Sequence, residues 1–259
     1  TWYFVISFFL NILYIQCMKL SIIVPVYNEH KTIKEVLKKL SNVDLGSQTL
    51  EKEIIIVEGN SKDGTKEIVE TFNKNKNFKI IFEDTPLGKG SAVRKGLDKA
   101  SGEIILIQDG DLEYSFKDYP NLLKPILDKK ANFVLGTRHK SLNLFKMRVM
   151  NNSPLKALIL NIGHLILQKF FNFLYKQDTT DIFTMYKVFR KKCLNDMILV
   201  RDKFDFDMEL VCKIVKQGNK PLEVPVTYNS RGWDQGKKYS LLKDTPGVIW
   251  TLIKVRYFE

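Results

Sequence analysis

The stretch "GEIILIQDGDLEYS", Gly102–Ser115, sets the terms for the whole chain. Ile104 to Ile107 form an unbroken apolar run, the pattern of a strand buried on both faces of a parallel sheet. Asp109, Asp111 and Glu113 follow at every second position. Alternation along an extended chain points such residues to one side. Carboxylates that close repel one another, so the pattern demands a counter-charge. Three hard oxygen donors on one side suit Mg2+ or Mn2+. The same letters also fit an exposed acidic turn that caps the next helix, and a D-x-D alone does not choose between the two.

Upstream, the chain repeats one grammar. "KLSIIVPV" (19–26), "KEIIIVEG" (52–59) and "FKIIFE" (78–83) read as buried strands. Between them, "TIKEVLKKL" (32–40) carries Ile33, Val36, Leu37 and Leu40 at helical spacing, and "GTKEIVETF" (64–72) reads as a second helix. "GKGSAVRKGLDKA" (88–100) opens on glycines and continues as a helix into the Ile104 strand. Strands alternating with helices predict an α/β fold, a mostly parallel sheet flanked by helices on both faces. Ligands of such sheets sit at the carboxyl ends of the strands, where the acidic cluster falls. Downstream come a strand in "NFVLGTRHK" (132–140), a long apolar helix from Leu155 to Tyr175, the segments "FTMYKVFRKKCL" (183–194) and "FDFDMELVCKIVKQG" (204–218), and a strand "KPLEVPVTY" (220–228). The tail, Ser240 to Phe258, is aromatic, apolar and basic. We expect one domain over residues 18–236 and a basic aromatic C-terminal helix over 237–259.

The formal net charge of +12 fits an anionic partner such as a nucleotide, a nucleic acid or an anionic membrane, or else a generally lysine-rich solvated surface. Cys17, Cys193 and Cys212 make no CxxC pair, so a disulfide framework is not expected and a reducing compartment is. His30, His139 and His164 lack zinc-ligand spacing and give no support to a Ser-His-Asp triad. The first segment, "TWYFVISFFLNILYIQC", is shorter than the roughly 20 apolar residues of a membrane-spanning helix and lacks the flanks of a signal peptide. "MKLSIIVPVYNE" from Met18 reads as a start, so residues 1–17 are expected to lie outside the fold as an apolar extension. A membrane-associated helix is the other reading.

Three further motifs sit at strand ends. In "VPVYNE" (24–29), Pro25, Tyr27 and Glu29 follow the first strand. In "VEGNSKDGT" (57–65), Asn60, Ser61, Asp63 and Gly64 are turn formers, Asp63 is placed to cap the next helix, and Glu58 is placed to accept hydrogen bonds from a base or ribose. Gly88 and Gly90 beside Lys89 make a helix start of the kind that hosts phosphate, although it is neither a Walker loop nor a Rossmann fingerprint, and a structural role is the alternative.

Taken together, "VPVYNE … VEGNSKDGT … GKGSAVRKG … QDGDLEY … GTR" resembles the family 2 glycosyltransferases of the GT-A fold, most nearly the branch of dolichyl-phosphate mannose synthase and its polyprenyl-phosphate relatives. The resemblance runs from about Met18 to Phe258. It implies that Pro25, Tyr27 and Glu29 contact the nucleotide and that Glu58 holds the base or ribose. Asp109 and Asp111 would bind Mg2+ or Mn2+, with Glu113 as a third acceptor and Arg138 facing the phosphates. Asp178 in "DTTDIFTMYKVFR" matches a later acidic motif, and Glu209 in "FDFDMEL" matches a carboxylate on the acceptor side. In "EVPVTYNSRGWDQGKK", Arg231, Lys237 and Lys238 would reach the donor diphosphate or an acceptor phosphate. The sequence departs from the family where Asp-Asp-Gly-Ser becomes Glu58-Gly59-Asn60-Ser61, which loses a carboxylate and leaves base specificity open.

The implied reaction is inverting transfer of a sugar from a nucleotide-sugar donor, a UDP- or GDP-sugar, to a lipid-linked phosphate or to a saccharide hydroxyl. A phosphate acceptor is already an anion. A hydroxyl needs a base, for which Asp178 or Glu209 would serve. No paired apolar spans follow the GT-A motifs within these residues. A lipid acceptor would therefore be met by peripheral contact, on the cytoplasmic membrane face. The tail, with Trp250, Tyr257 and Phe258 among Lys237, Lys238, Lys243, Lys254 and Arg256, suits that interface. A nucleotidyltransferase is disfavoured because "YNEHKTIKE" stands where its Gly-rich signature belongs. A nucleic-acid-binding protein would have no use for the acidic cluster.

Overall fold

The computed structural model describes residues 18–138, 154–231 and 241–259. The 1–17 segment, Lys237 and Lys238 lie outside the described residues. The first half builds β1 (Met18–Val26), α1 (Ile33–Ser41), β2 (Leu50–Glu58), α2 (Thr65–Glu70), β3 (Phe78–Phe82), α3 (Lys89–Lys99) and β4 (Ile104–Ile107). The second half adds α4 (Tyr119–Leu127), β5 (Phe133–Thr137), α5 (Pro154–Tyr175), β6 (Lys187–Arg190), α6 (Phe206–Lys216), β7 (Leu222–Pro225) and α7 (Leu241–Tyr257). The sheet has seven strands in the order β3-β2-β1-β4-β6-β5-β7.

The apolar runs are buried on both faces because two separate cores sandwich them. Ile22, Val24, Ile54, Ile56 and Leu106 pack with α1 and α4 on one side. Ile23, Ile55, Ile105 and Ile107 point the other way, toward residues of α3, α5, α6 and α7. Adjacent residues feeding opposite cores is the period of two that an extended strand imposes. The helix expected over 237–259 is α7, and its buried Val248, Leu252 and Val255 make it part of the second core.

One strand departs from the expected parallel pattern. β6 runs antiparallel to both β4 and β5 and separates them. Its four residues, "KVFR", are too few to declare a period in the sequence. The insertion widens the sheet beside the acidic cluster, and β7 then pairs parallel to β5 at the edge.

The Gly-rich start of α3 is occupied by the chain itself. The N–H groups of Gly90 and Ser91 donate to the carbonyl of Asp202 at 2.7 and 3.2 Å, which satisfies two of the orphan donors of the helix start. Arg94 donates to the Arg201 carbonyl and to the Asp202 carboxylate. A Cβ on Gly90 would fall 2.4 Å from the Arg201 carbonyl oxygen and 2.5 Å from Phe206 Cβ. The structural reading of these glycines therefore holds, and Gly90 N–H is not open to a phosphate. Gly90→Ala should cost about 1–3 kcal/mol through this overpacking. A lower midpoint in urea with an unchanged slope would register it; an unchanged midpoint would mean the 199–205 segment shifts without penalty.

Candidate active site

The ends of β1 and β2 are laced together before any ligand is considered. Asn28 N–H donates to Ser61 Oγ at 2.8 Å, and Lys62 N–H returns a bond to Asn28 Oδ1 at 3.0 Å. Glu29 N–H donates to Thr65 Oγ1 at 2.9 Å and His30 N–H to Asp63 Oδ2 at 3.1 Å. Asp63 Oδ1 accepts from Thr65 N–H and Oγ1; the N-cap position of α2 is Gly64, so the cap expected of Asp63 is instead a brace of the turn one residue earlier. Gly64 sits at φ +91°, and a Cβ there would lie 2.8 Å from His30 Nδ1. Glu58 is fully buried and accepts the N–H groups of Asn60 and Ser61 at 3.0 and 2.9 Å. Most of "EGNSKDGT" is thus a brace that fixes the rim where Pro25, Tyr27 and Glu29 stand. Tyr27 is 40% exposed at that rim.

The acidic cluster lies just past β4. Strand alternation ends at Ile107, and Asp111 Oδ1 accepts Glu113 N–H at 3.0 Å in a tight turn. The three carboxylates accordingly do not form one cage, and among the described residues no group of three Asp, Glu, His or Cys side chains is arranged to hold a metal. Two cations serve the three carboxylates. Lys89 Nζ lies 2.7 Å from Asp109 Oδ1. Arg231 spans Glu29 at 3.0 Å and Asp111 through its two terminal nitrogens, and its backbone N–H donates to Glu113 Oε1 at 2.7 Å.

Arg231 reaches the cluster by backbone pairing. Tyr114 and Tyr228 form an antiparallel bridge, flanked by Ser115 N–H to Thr227 O at 3.2 Å and Asn229 N–H to Glu113 O at 2.8 Å. Tyr228 also donates its hydroxyl to Glu113 Oε2 at 3.1 Å. Even so, negative charge stays in excess. Burial, then the charges of Asp109 and Glu113, outweigh the shared Arg231 and push the Asp111 carboxyl up to about 7.

The structure separates the other sequence-predicted residues. Arg138, at the end of β5, is clamped by the fully buried Asp181, which accepts its Nε and Nη2 at 2.7 Å each and its backbone N–H at 3.0 Å. Asp178, three residues earlier, is exposed. Asp181 is the acidic residue of "DTTD" that the fold uses. Glu209 accepts Val200 and Arg201 N–H at 2.9–3.0 Å and Lys213 Nζ at 2.9 Å, so it ties down the 198–201 segment.

The carboxylate of α6 that turns toward the cluster is Asp207, 3.6 Å from Lys89 and 3.1 Å from the fully buried Lys187. Sequence reasoning missed Asp207, Lys187 and Glu83. Glu83 is buried at the end of β3 and pairs with Lys95 at 2.7 Å, and its Oε2 lies 3.5 Å from where a Gly59 Cβ would be. Its position one residue past a strand end was a signal available for it.

An open α/β sheet with Asp109 and Asp111 just past the end of its central β4, facing cations from α3 and from the segment after β7, is the architecture of the GT-A fold. The model of glycosyl transferase family 2 matches residues 21–198, and the chain belongs to that family. It is similar to glycosyltransferase AglJ of Haloferax volcanii, 28% identical over 81% of this chain and 63% of that protein. It is also similar to dolichol-phosphate mannosyltransferase of Pyrococcus furiosus, 26% identical over 85% of this chain and 59% of that protein. The chain thus spans about three-fifths of the length of these curated relatives, 63% and 59%. Its fold matches that of glucosyl-3-phosphoglycerate synthase from Mycobacterium tuberculosis, solved with Mn2+, UDP-glucose and phosphoglyceric acid, at a TM-score of 0.65 and 15% identity over 92% of this chain and 79% of that one.

The raised Asp111 carboxyl has a consequence for stability. A carboxyl that holds its proton more tightly folded than unfolded favours the folded state at low pH, and that benefit is lost as pH rises through the folded value, here about 7. Asp111→Asn stays neutral at every pH and escapes that loss. Without divalent metal, the variant should gain melting temperature relative to the parent at pH 8, and the difference should shrink toward pH 5. Parallel curves of melting temperature against pH would contradict the excess of negative charge.

Proposed function

We propose that this family 2 glycosyltransferase takes a sugar from a nucleoside-diphosphate donor and transfers it, with inversion, to the phosphate of a polyprenyl-type lipid. The observation that carries the donor half is the meeting of Asp109, Asp111 and Glu113 with Lys89 and Arg231 at the strand ends. Carboxylate oxygens for a metal and cations for a diphosphate occupy one place. The donor set is made of hard carboxylate oxygens, so Mg2+ or Mn2+ fits its chemistry. When bound, such an ion withdraws charge from the diphosphate as a Lewis acid. Pro25, Tyr27, Glu29 and Glu58 line the nucleotide side in this reading. Arg231, with Lys237 and Lys238, compensates the leaving diphosphate.

The acceptor half rests on what the carboxylates are already doing. Glu209, a candidate base for a hydroxyl acceptor, is taken up by three backbone and side-chain donors. Asp181 is held by Arg138. An anionic acceptor needs no base, and the name of the Pyrococcus furiosus relative, dolichol-phosphate mannosyltransferase, supports the same acceptor class. Leu155, Ile159, Ile162, Ile166 and Phe173 stand exposed along α5 at spacings of three, four and seven residues, a single stripe on a helix. Ile249, Trp250, Tyr257 and Phe258 are exposed on and just after α7. The Leu158–Tyr175 window is long and apolar enough to cross a membrane by length and composition, and 39% of it is buried in the protein. These faces support peripheral contact with a membrane, in this reading on its cytoplasmic face.

Two measurements test the two halves. In a thermal-shift panel, UDP or GDP with Mn2+ should stabilise the protein by about 2.7 kcal/mol at 100 times its dissociation constant. Asp111→Ala should lose that metal-dependent shift and all sugar transfer while staying folded, and retained metal-dependent activity would refute the assignment. For the acceptor, Ile159→Glu with Ile166→Glu should lower co-sedimentation with anionic vesicles at least about tenfold, because each apolar side chain withdrawn from water is worth about 1.5–3 kcal/mol. Unchanged sedimentation, together with a soluble sugar glycosylated as well as a polyprenyl phosphate, would move the acceptor to a saccharide hydroxyl.

A further inference from the structure

Four charged side chains alternate in sign behind the acidic cluster. Asp109 pairs with Lys89 at 2.7 Å, Lys89 lies 3.6 Å from Asp207, and Asp207 pairs with Lys187 at 3.1 Å. Lys187 also donates to the Thr184 carbonyl and is fully buried, while Lys89 keeps only 12% of its side chain exposed. Lys89 has little freedom to leave. It stands second in "GKG", and the start of α3 is pinned by the 199–205 segment through Gly90 and Arg94. Its ammonium is therefore held between two carboxylates, one fixed from behind by Lys187 and one standing at the mouth of the site.

Building on the donor reading above, we propose that Lys89 is a resident counter-ion of Asp109 which a divalent cation must displace, and that the displaced ammonium is then satisfied by the donor diphosphate. The physical reason is desolvation. A divalent ion that takes Asp109 strips Lys89 of its closest partner, at 2.7 Å, and leaves a nearly buried ammonium with only the weak acceptor Met185 Sδ at 3.4 Å and Asp207 at 3.6 Å. Burying a charge without a close partner is costly. That cost is charged against metal binding alone. A diphosphate arriving with the metal supplies anionic oxygens, and the cost disappears. Metal and nucleotide thus bind cooperatively, and by linkage each raises the affinity of the other by the same factor. Lys89 acts as a positioning residue: it keeps the cluster compact and closed to metal until a diphosphate is present.

The test measures Mn2+ binding by calorimetry and by the paramagnetic signal of free Mn2+, with and without saturating UDP or GDP. Lys89→Met should bind Mn2+ alone about tenfold more tightly than the parent, and the nucleotide should improve Mn2+ binding by about tenfold less than it does in the parent. A typical coupling of this kind spans 5–150-fold. Lys89→Arg keeps the charge and should restore both the weak binding of Mn2+ alone and the coupling. Melting temperatures of both variants verify that they are folded, and the Arg variant preserves the comparison should the Met variant unfold. Mn2+ affinity of Lys89→Met equal to or below that of the parent overturns the proposal. If neither UDP nor GDP binds the parent, the donor reading falls, and the Mn2+-alone comparison still decides the counter-ion.

Discussion

Like charges crowded past the end of β4 are the constraint that the surrounding structure answers. Asp109, Asp111 and Glu113 fall within five residues, behind a strand with no exposed atom to spare. Left alone, their repulsion would oppose folding of the loop. Each answer comes from a distant part of the chain: Lys89 from the start of α3, Arg231 from beyond β7. Neither cation arrives unaided. Lys89 depends on the Asp202 carbonyl that caps α3, and Arg231 on the pairing of residues 227–229 with 113–115. The fold on both sides of the sheet can be understood as a means of delivering positive charge to one strand end.

The same economy explains why so little of the first motifs faces outward. Glu58, Ser61, Asp63 and Thr65 spend their polar atoms on neighbouring backbone N–H groups. An unpaired N–H at a buried strand end costs about 1–3 kcal/mol, so a motif of turn formers at that place has a structural duty whatever ligand is bound. The loss of a second carboxylate at Gly59 is set beside the presence of Glu83, which points toward the same spot from β3. Glu83 is buried there and held by Lys95.

The first four strands and the helices between them were legible because β1, β2 and β4 are apolar runs buried on both faces, the edge strand β3 keeps an apolar run, and each helix opens with turn chemistry. β6 was not, since four residues paired antiparallel between two other strands carry no period of their own. In two acidic motifs the sequence reading named one carboxylate, and the structure sets a second one close by against a cation. In "DTTD" the fold buries Asp181 and exposes Asp178, and spacing alone could not choose between them. In "FDFDMEL" every residue from Phe206 to Cys212 is buried, so α6 shows no polar face at its start by which to phase it. Asp207 and Glu209, two positions apart on a helix, point to different sides. One meets Lys89 and the other meets the 198–201 backbone.

The cations of the site divide by how firmly they are held. Arg138 gives three hydrogen bonds to Asp181, lies over the Tyr228 ring, and has 8% of its side chain exposed against a partner with none. Removing one partner of such a buried pair costs about 3–5 kcal/mol, so Arg138 acts as a fixture that closes β5 onto the 179–182 turn. Arg231 divides one guanidinium among three carboxylates and keeps 20% exposure. Lys89 leans on two carboxylates from the edge of the same cluster. Phosphate offers a guanidinium the same planar, two-oxygen geometry as a carboxylate, with more charge. Exchange of one of its carboxylates for another anion is therefore open to Arg231 and closed to Arg138, whose partner is fully buried. How the two guanidiniums are held, more than the number of basic residues at the strand ends, separates a cation that can answer an arriving anion from one that cannot.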